Sequence, residues 1–274
     1  MQFGCFTQAR LFQPSGTKNG RPNLKQAMRA TSAVHRRCGG QAACFLYICL
    51  RQFFAVDINQ LIQVIAAGAL PVLFAITVHE AAHGYAARYF GDHTAAMMGR
   101  LTLNPLKHID LFGTVLMPLL LYFATSGAFV FGYARPVPVI ARNLRNPKTD
   151  MAWVALAGPA SNFVMALLWA AMLLGLRAGS VMEPFLVLMA QIGMTTNVAL
   201  LALNLFPLPP LDGGRVLAGA LPPQAALTLA RVEPFGFFIV MGLILMDVLD
   251  WLWMRPIMGA TYWLIEMLLS PFFR

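Results

Sequence analysis

His79, Glu80 and His83 lie within five consecutive residues, His79-Glu80-Ala81-Ala82-His83, inside a stretch otherwise apolar enough to cross a bilayer. Four residues along an α-helix make about one turn, a rise of roughly 6 Å, so the two imidazoles leave the same face. Two imidazoles so placed can share one Zn²⁺, and the glutamate between them can reach a metal-activated water and serve as its general base. The ordinary alternative for Glu80 is an ion pair with a neighbouring cation such as Arg88. A hydrolytic zinc takes three protein ligands and keeps one position open. The third ligand must therefore be a His, Asp or Glu from elsewhere, and Asp212 is the best candidate. It follows an apolar run that ends in Asn204-Leu205-Phe206-Pro207-Leu208-Pro209-Pro210-Leu211, and Gly213-Gly214 comes next. An acid at the end of a membrane helix is expensive and points to function, although a turn aspartate before glycine is also common.

The elements that must position these residues are membrane helices. The chain is 58% hydrophobic and 11% charged, with a mean hydropathy of +0.65, against about 25% charged residues in a soluble domain. A span needs about 20 apolar residues. Four segments qualify: 59–78 continuing into the histidine motif, 152–176, 184–206 and 235–254. Two weaker ones are 111–132 and 257–272. The sequence thus predicts an all-α multi-pass membrane protein with about four to six transmembrane helices and no room for a large soluble domain. The first helix opens near Asp57-Ile58-Asn59 and stops near Gly91-Asp92. A later one begins around Asp150 and carries Gly158-Pro159-Ala160-Ser161-Asn162, whose small residues allow close helix approach. Three prolines must unwind the end of the 184–206 segment, and broken backbone at membrane depth is tolerated only when buried in protein or lining a wet cavity.

Three separated blocks, in order, resemble the site-2 protease family of zinc intramembrane metalloproteases. His79–His83 is similar to its HExxH, Ala157-Gly158-Pro159-Ala160-Ser161-Asn162 to its central-helix block, and Asn204 through Gly214 to its N-x-x-P-x-P-x-L-D-G block. The similarity runs from about residue 57 to 235. The chain looks most like the short bacterial members, with no PDZ-like insertion between the second and third blocks and no C-terminal nucleotide-sensing domain. The resemblance implies hydrolysis of peptide bonds in or near transmembrane segments of membrane-protein substrates. It implies one Zn²⁺ held by His79, His83 and Asp212, with Glu80 as general base. It also implies that Asn162 sits near the metal and helps polarise the scissile carbonyl or hold the substrate strand.

Convergence of these residues constrains topology. The histidine motif reads as the end of its helix, Asn162 as near the start of another, and Asp212 as the end of a third. These ends must meet at one depth, so the chain between His83 and Asn162 must return to the side it left. The segment 111–132 is therefore expected to be a re-entrant or partly inserted hairpin. Short extended segments, Gly132–Val139 and Leu101–Asn104, would lie near the active site and could pair with an unwound substrate by strand addition. This arrangement collects Arg88, Arg100, Lys107, Arg135, Arg142, Arg145, Lys148, Arg215 and Arg231 on one face, against Arg177 on the other. Positive charge marks the cytoplasm, so the active site of this cell-membrane protein is expected to open toward it.

The net charge of +9 comes almost wholly from residues 1–56, which hold eight Lys/Arg and no acid. This segment reads as a basic extension, disordered or added by an over-long gene model, ahead of a metalloprotease domain at 57–274 with its core at 57–235. No aromatic platform or recognition motif accompanies the basic residues, so nucleic acid is not an expected partner. All four cysteines also fall there, at spacings that suit no common zinc site. Of the other histidines, His93 and His108 follow the motif in a loop and read as solvated. Two rivals stand beside the protease: a membrane metal-ion transporter, which would also place His and Asp at membrane depth but has no need of Glu80, and a catalytically inactive membrane scaffold.

Overall fold

The computed structural model describes residues 58–107, 110–124, 135–181 and 183–272; the basic extension 1–56 and His108 lie outside them. In chain order the helices are α1 (Ile58–Tyr89), α2 (Thr94–Met97), α3 (Met117–Ala124), α4 (Pro147–Ala178), α5 (Pro184–Asn204), α6 (Asp212–Ala220), α7 (Pro223–Ala230), α8 (Glu233–Leu245) and α9 (Arg255–Leu269). No strand occurs among the described residues. α1, α4 and α5 are long and apolar enough to cross a membrane, and the α7–α8 pair, bent by 66°, adds up to a fourth span. The all-α membrane architecture expected from composition is present.

α1, α4 and α5 pack against one another and form the frame of the site. Their contact is built from small residues: Ala67, Ala75, Ala166, Ala190 and Ala202 have no solvent exposure. The large apolar side chains face outward instead, among them Ile62, Ile65, Leu70, Val164, Leu168 and Phe185. A soluble protein would bury these. In lipid, burying them inside the bundle gains little, and close approach of backbones decides the packing.

α4 starts at Pro147, three residues before the expected Asp150. Buried Asp150 accepts the Asn146 backbone N–H through Oδ2 at 2.7 Å, and Pro147 takes the first position, where a missing N–H costs nothing. Asn162 consequently lies in the middle of α4 rather than near its start.

Other expectations change as well. The segment 235–254 is not one span: α8 stops at Leu245, Asp247 adopts φ 56°, and a π-helical turn at Asp250–Met254 leads into α9. Aspartate is one of the few residues that tolerates this left-handed geometry, and a helix cannot continue through it. Within 111–132, a six-residue π-helical segment (Leu111–Leu116), capped by Asp110, runs into the eight residues of α3. Fourteen residues reach about 21 Å, short of a bilayer. The remainder of the expected hairpin, 125–132, lies outside the described residues.

Beyond α1 the chain is gathered by one carboxylate. Asp92 is buried and accepts from Thr94 N (3.0 Å) and Oγ1, from Ile140 N (2.6 Å) and from Asn143 Nδ2 (3.1 Å). Asp92 thereby ties the end of α1 to residues 140–143. Burial alone would raise its pKa, but the hydrogen bonds from Thr94, Ile140 and Asn143 outweigh it and hold the carboxyl below the usual carboxylate range. A depressed folded-state pKa contributes stability that is present above the ordinary carboxylate value and lost as pH falls through the lowered one. Asp92→Ala leaves the Ile140 and Thr94 backbone N–H groups without their acceptor and is expected to destabilise by about 2–3 kcal/mol. Thermal unfolding in detergent at pH 7 and pH 3 checks this: the gap between wild type and variant should narrow at pH 3, and an equal gap at both values would contradict the account.

Candidate metal centre

His79 and His83 stand one turn apart on α1 and face α4. Each ring is tethered through Nδ1. His79 Nδ1 lies 2.6 Å from Asn162 Oδ1, and His83 Nδ1 lies 2.7 Å from the carbonyl oxygen of Val154. Both tethers are acceptors, so in the neutral rings both Nδ1 atoms carry the proton and both Nε2 atoms present a lone pair. The Asn162 assignment follows from its other end, where Nδ2 donates to Asn197 Oδ1 (2.9 Å) and to Ala75 O (3.3 Å).

Asp212 supplies the third atom. α5 ends at Asn204, the proline-rich loop turns, and Asp212 opens α6; it is thus the first residue of a short helix rather than the last of a span. Its placement depends on backbone contact. A Cβ on Gly213 would fall 2.3 Å from Leu205 O, and one on Gly214 would fall 2.2 Å from Pro209 N. On the far side of the loop, a Cβ on Gly236 of α8 would collide with Pro209 O at 1.8 Å. Only glycine fits at these three positions, and the loop is clamped between α6 and α8.

The two Nε2 atoms are 3.1 Å apart, and Asp212 Oδ2 lies 3.2 Å from His79 Nε2 and 3.3 Å from His83 Nε2. Asp212 Oδ2 is buried and has no hydrogen-bond donor. Three lone pairs therefore converge with no proton between them, an arrangement that costs energy unless a cation sits among them. Zinc at about 2.0–2.1 Å from each ligand in a tetrahedron needs ligand separations of about 3.3–3.4 Å; the observed 3.1, 3.2 and 3.3 Å come close to this, each slightly shorter or equal. His79, His83 and Asp212 are a group able to hold a metal ion.

The imidazole pair lies directly against α4 because residue 158 has no side chain. A Cβ on Gly158 would lie 2.4 Å from His83 Nε2 and 2.6 Å from His79 Cε1. Sequence reasoning saw Gly158 as a small residue permitting helix approach; what approaches is the imidazole pair. Glu80 does not pair with Arg88. Its Oε2 accepts the Val137 backbone N–H at 2.8 Å, which brings the non-helical segment 135–140 against the motif. His93 is exposed and outside the group.

Two contributors escaped sequence analysis. Asn197 touches the tether of His79, and its signal was legible: an asparagine in the middle of an apolar span is costly without a partner. Asp92 resembled any loop aspartate after glycine.

Comparison with known proteins agrees with this geometry. The family model described as Peptidase family M50 matches residues 67–183. A Bacillus subtilis protein named "Putative zinc metalloprotease YwhC" is 36% identical over 179 residues, 64% of this chain and 78% of that protein. "Putative zinc metalloprotease Rip2" proteins are 32% identical in Mycolicibacterium smegmatis and 30% in Mycobacterium tuberculosis, each over 198 residues and 71% of both chains. No solved structure matches. A membrane-helix frame, a zinc-compatible His–His–Asp triangle and relatives matched over most of their length together place this chain in peptidase family M50, as a zinc metalloprotease of the membrane.

Proposed function

We propose that this metalloprotease cuts peptide bonds within or beside the transmembrane segments of membrane proteins. The observation that supports the reading is where the motif sits along an apolar helix long enough to span a membrane. His79 lies ten residues from the end of α1 at Tyr89, about 15 Å along the helix, and its tether Asn162 lies mid-way along α4. A soluble substrate would have no route to such a centre, whereas a helix in the same bilayer would.

Bound zinc supplies Lewis acidity, polarising a carbonyl and lowering the pKa of water. The rest belongs to the chain. His79, His83 and Asp212 hold the metal, and Nδ1 tethering keeps both rings from turning. Glu80 is the general base: one carboxylate oxygen is fixed by Val137 N–H, which leaves the other to take a proton and return it to the leaving amine. Asn162 has both ends of its amide engaged by protein, so we assign it to orienting His79 rather than to a substrate carbonyl. Segment 135–140, anchored at Val137 by Glu80 and at Ile140 by Asp92, is the stretch along which an unwound substrate strand would lie.

We also propose that the site opens toward the cytoplasm. Lys148 Nζ donates to Leu221 O, the Arg145 guanidinium to Tyr89 O and the Arg100 guanidinium to Arg135 O, so basic residues gather where α1 ends and α4 begins. Arg177 sits at the far end of α4, about 44 Å away, and the positive end faces inward. Labelling of Arg142→Cys by an impermeant thiol reagent in intact cells would refute the orientation. Activity is tested by comparing the membrane proteomes of cells that express the intact protein or Glu80→Gln. Membrane proteins shortened with the first and full-length with the second are expected; identical proteomes count against proteolysis.

A further inference from the structure

The tether of His79 does not end at Asn162. Asn197, in the middle of α5, has no solvent exposure, and neither has Asn162. Asn197 Nδ2 donates to Gly193 O at 2.8 Å, Asn162 Nδ2 donates to Asn197 Oδ1 at 2.9 Å, and Asn162 Oδ1 faces His79 Nδ1 at 2.6 Å. The chain of bonds crosses three spans, α5 to α4 to α1.

An isolated amide can face either way, since its oxygen and nitrogen have nearly the same shape. This one cannot, because two backbone carbonyls sit at its borders. Gly193 O accepts only, so Asn197 must turn its NH₂ toward it and its oxygen toward Asn162. Ala75 O also accepts only and lies 3.3 Å from Asn162 Nδ2. Asn162 must therefore direct its NH₂ at Asn197 and Ala75, and its oxygen at His79. Flipping both amides would set oxygen against oxygen at Gly193 and at Ala75, in a dry interior where unpaired polar groups are most costly. With an acceptor facing it, His79 carries its proton on Nδ1, and Nε2 is left to the metal.

The close approach this needs is built in. A Cβ on Gly193 would lie 2.5 Å from the Trp169 ring of α4. The missing side chain at Gly193 lets α5 approach α4 closely enough for the two asparagines to meet.

We propose that Asn197 is a positioning residue of the zinc site: it sets the direction of the Asn162 amide, and through it which nitrogen of His79 is available to the metal. Take Asn197 away and Ala75 O alone holds the amide, over a longer bond. The flipped amide then donates to His79 Nδ1, the ring proton moves to Nε2, and the ring in that form cannot ligate. The inference rests on the zinc reading and not on the nature of the substrate.

The test is Zn²⁺ affinity of the full chain in detergent, measured by chelator competition without any substrate. Asn197→Leu, close in volume, is expected to weaken Zn²⁺ binding about tenfold or more, the scale of losing an outer partner of a ligand. Asn197→Asp should recover most of this, because a carboxylic acid kept neutral by burial offers the same pair: an O–H for Gly193 O and a carbonyl oxygen for the Asn162 amide. In an Asn162→Ala background, Asn197→Leu should add no further loss, since the relay is already cut. Should the leucine variant not fold, Asn197→Ala carries the same comparison. Unchanged affinity in the folded variant, or an equal loss in the Asn162→Ala background, overturns the proposal. His79→Ala separates the two levels: if it binds Zn²⁺ like wild type, the metal reading itself fails rather than the relay.

Discussion

Glu80→Gln is expected to lower the cleavage rate by about a thousandfold while leaving zinc bound in full. Loss of a positioned general base costs about 10²–10⁴ in rate, and a thousandfold corresponds to about 4 kcal/mol of barrier. The variant separates chemistry from architecture because glutamine has the same shape. Its amide oxygen can still accept the Val137 N–H that Glu80 Oε2 accepts at 2.8 Å, so segment 135–140 stays in place. Glu80 is not among the three converging ligand atoms, so metal content should not change. By contrast His79→Ala or Asp212→Ala removes a ligand and should lose both metal and activity. Zinc content by atomic absorption and cleavage of a transmembrane peptide in detergent measure the two together. A Glu80→Gln protein that still cleaves within tenfold of wild type would show that another group, or none, takes the proton.

Gly158→Ala should be nearly as damaging, by adding one methyl group. The new carbon would lie 2.4 Å from His83 Nε2, 2.5 Å from His83 Cε1 and 2.6 Å from His79 Cε1, about 1 Å inside ordinary contact distance. The rings cannot simply turn away. His83 is bonded to Val154 O and His79 to Asn162 Oδ1, and both partners belong to α4, the helix that carries Gly158. Relief requires breaking a tether or separating α1 from α4. Either disturbs two of the three ligands, and Zn²⁺ affinity is expected to fall at least 100-fold, with activity following it. Gly175→Ala on the same helix is the control. A Cβ there meets nothing within 4 Å, and replacing a helical glycine by alanine should be neutral or favourable by up to about 1 kcal/mol. If both alanine variants bind Zn²⁺ like wild type, α4 does not approach the imidazoles as described.

What the sequence could state by itself was whatever depends on neighbours along the chain. A spacing of four puts His79 and His83 on one face of any helix, so a metal pair with Glu80 between them was legible at once. Long apolar runs required α1, α4 and α5 to be spans, because unsatisfied backbone in lipid leaves helix as the option. Prolines after Asn204 had to end α5. Asp212 stood out as an acid beside an apolar run, and the resemblance of its block gave it a role.

Convergence was left to the tertiary structure. No local pattern says that Asp212 Oδ2 comes within 3.3 Å of both imidazoles, since that depends on Gly213, Gly214 and Gly236 letting backbones touch around the Leu205–Leu211 loop. Nor does one say that Gly158 leaves room for the imidazole pair, or that Asn197 and two carbonyls dictate the direction of the Asn162 amide. The broken span at Asp247 belongs here too, because hydropathy averages over a window and cannot see one residue in a left-handed conformation. Helix periodicity is a property of one segment, whereas a metal site and its tethers are distances between segments, set by where small residues allow three helices to close on one another.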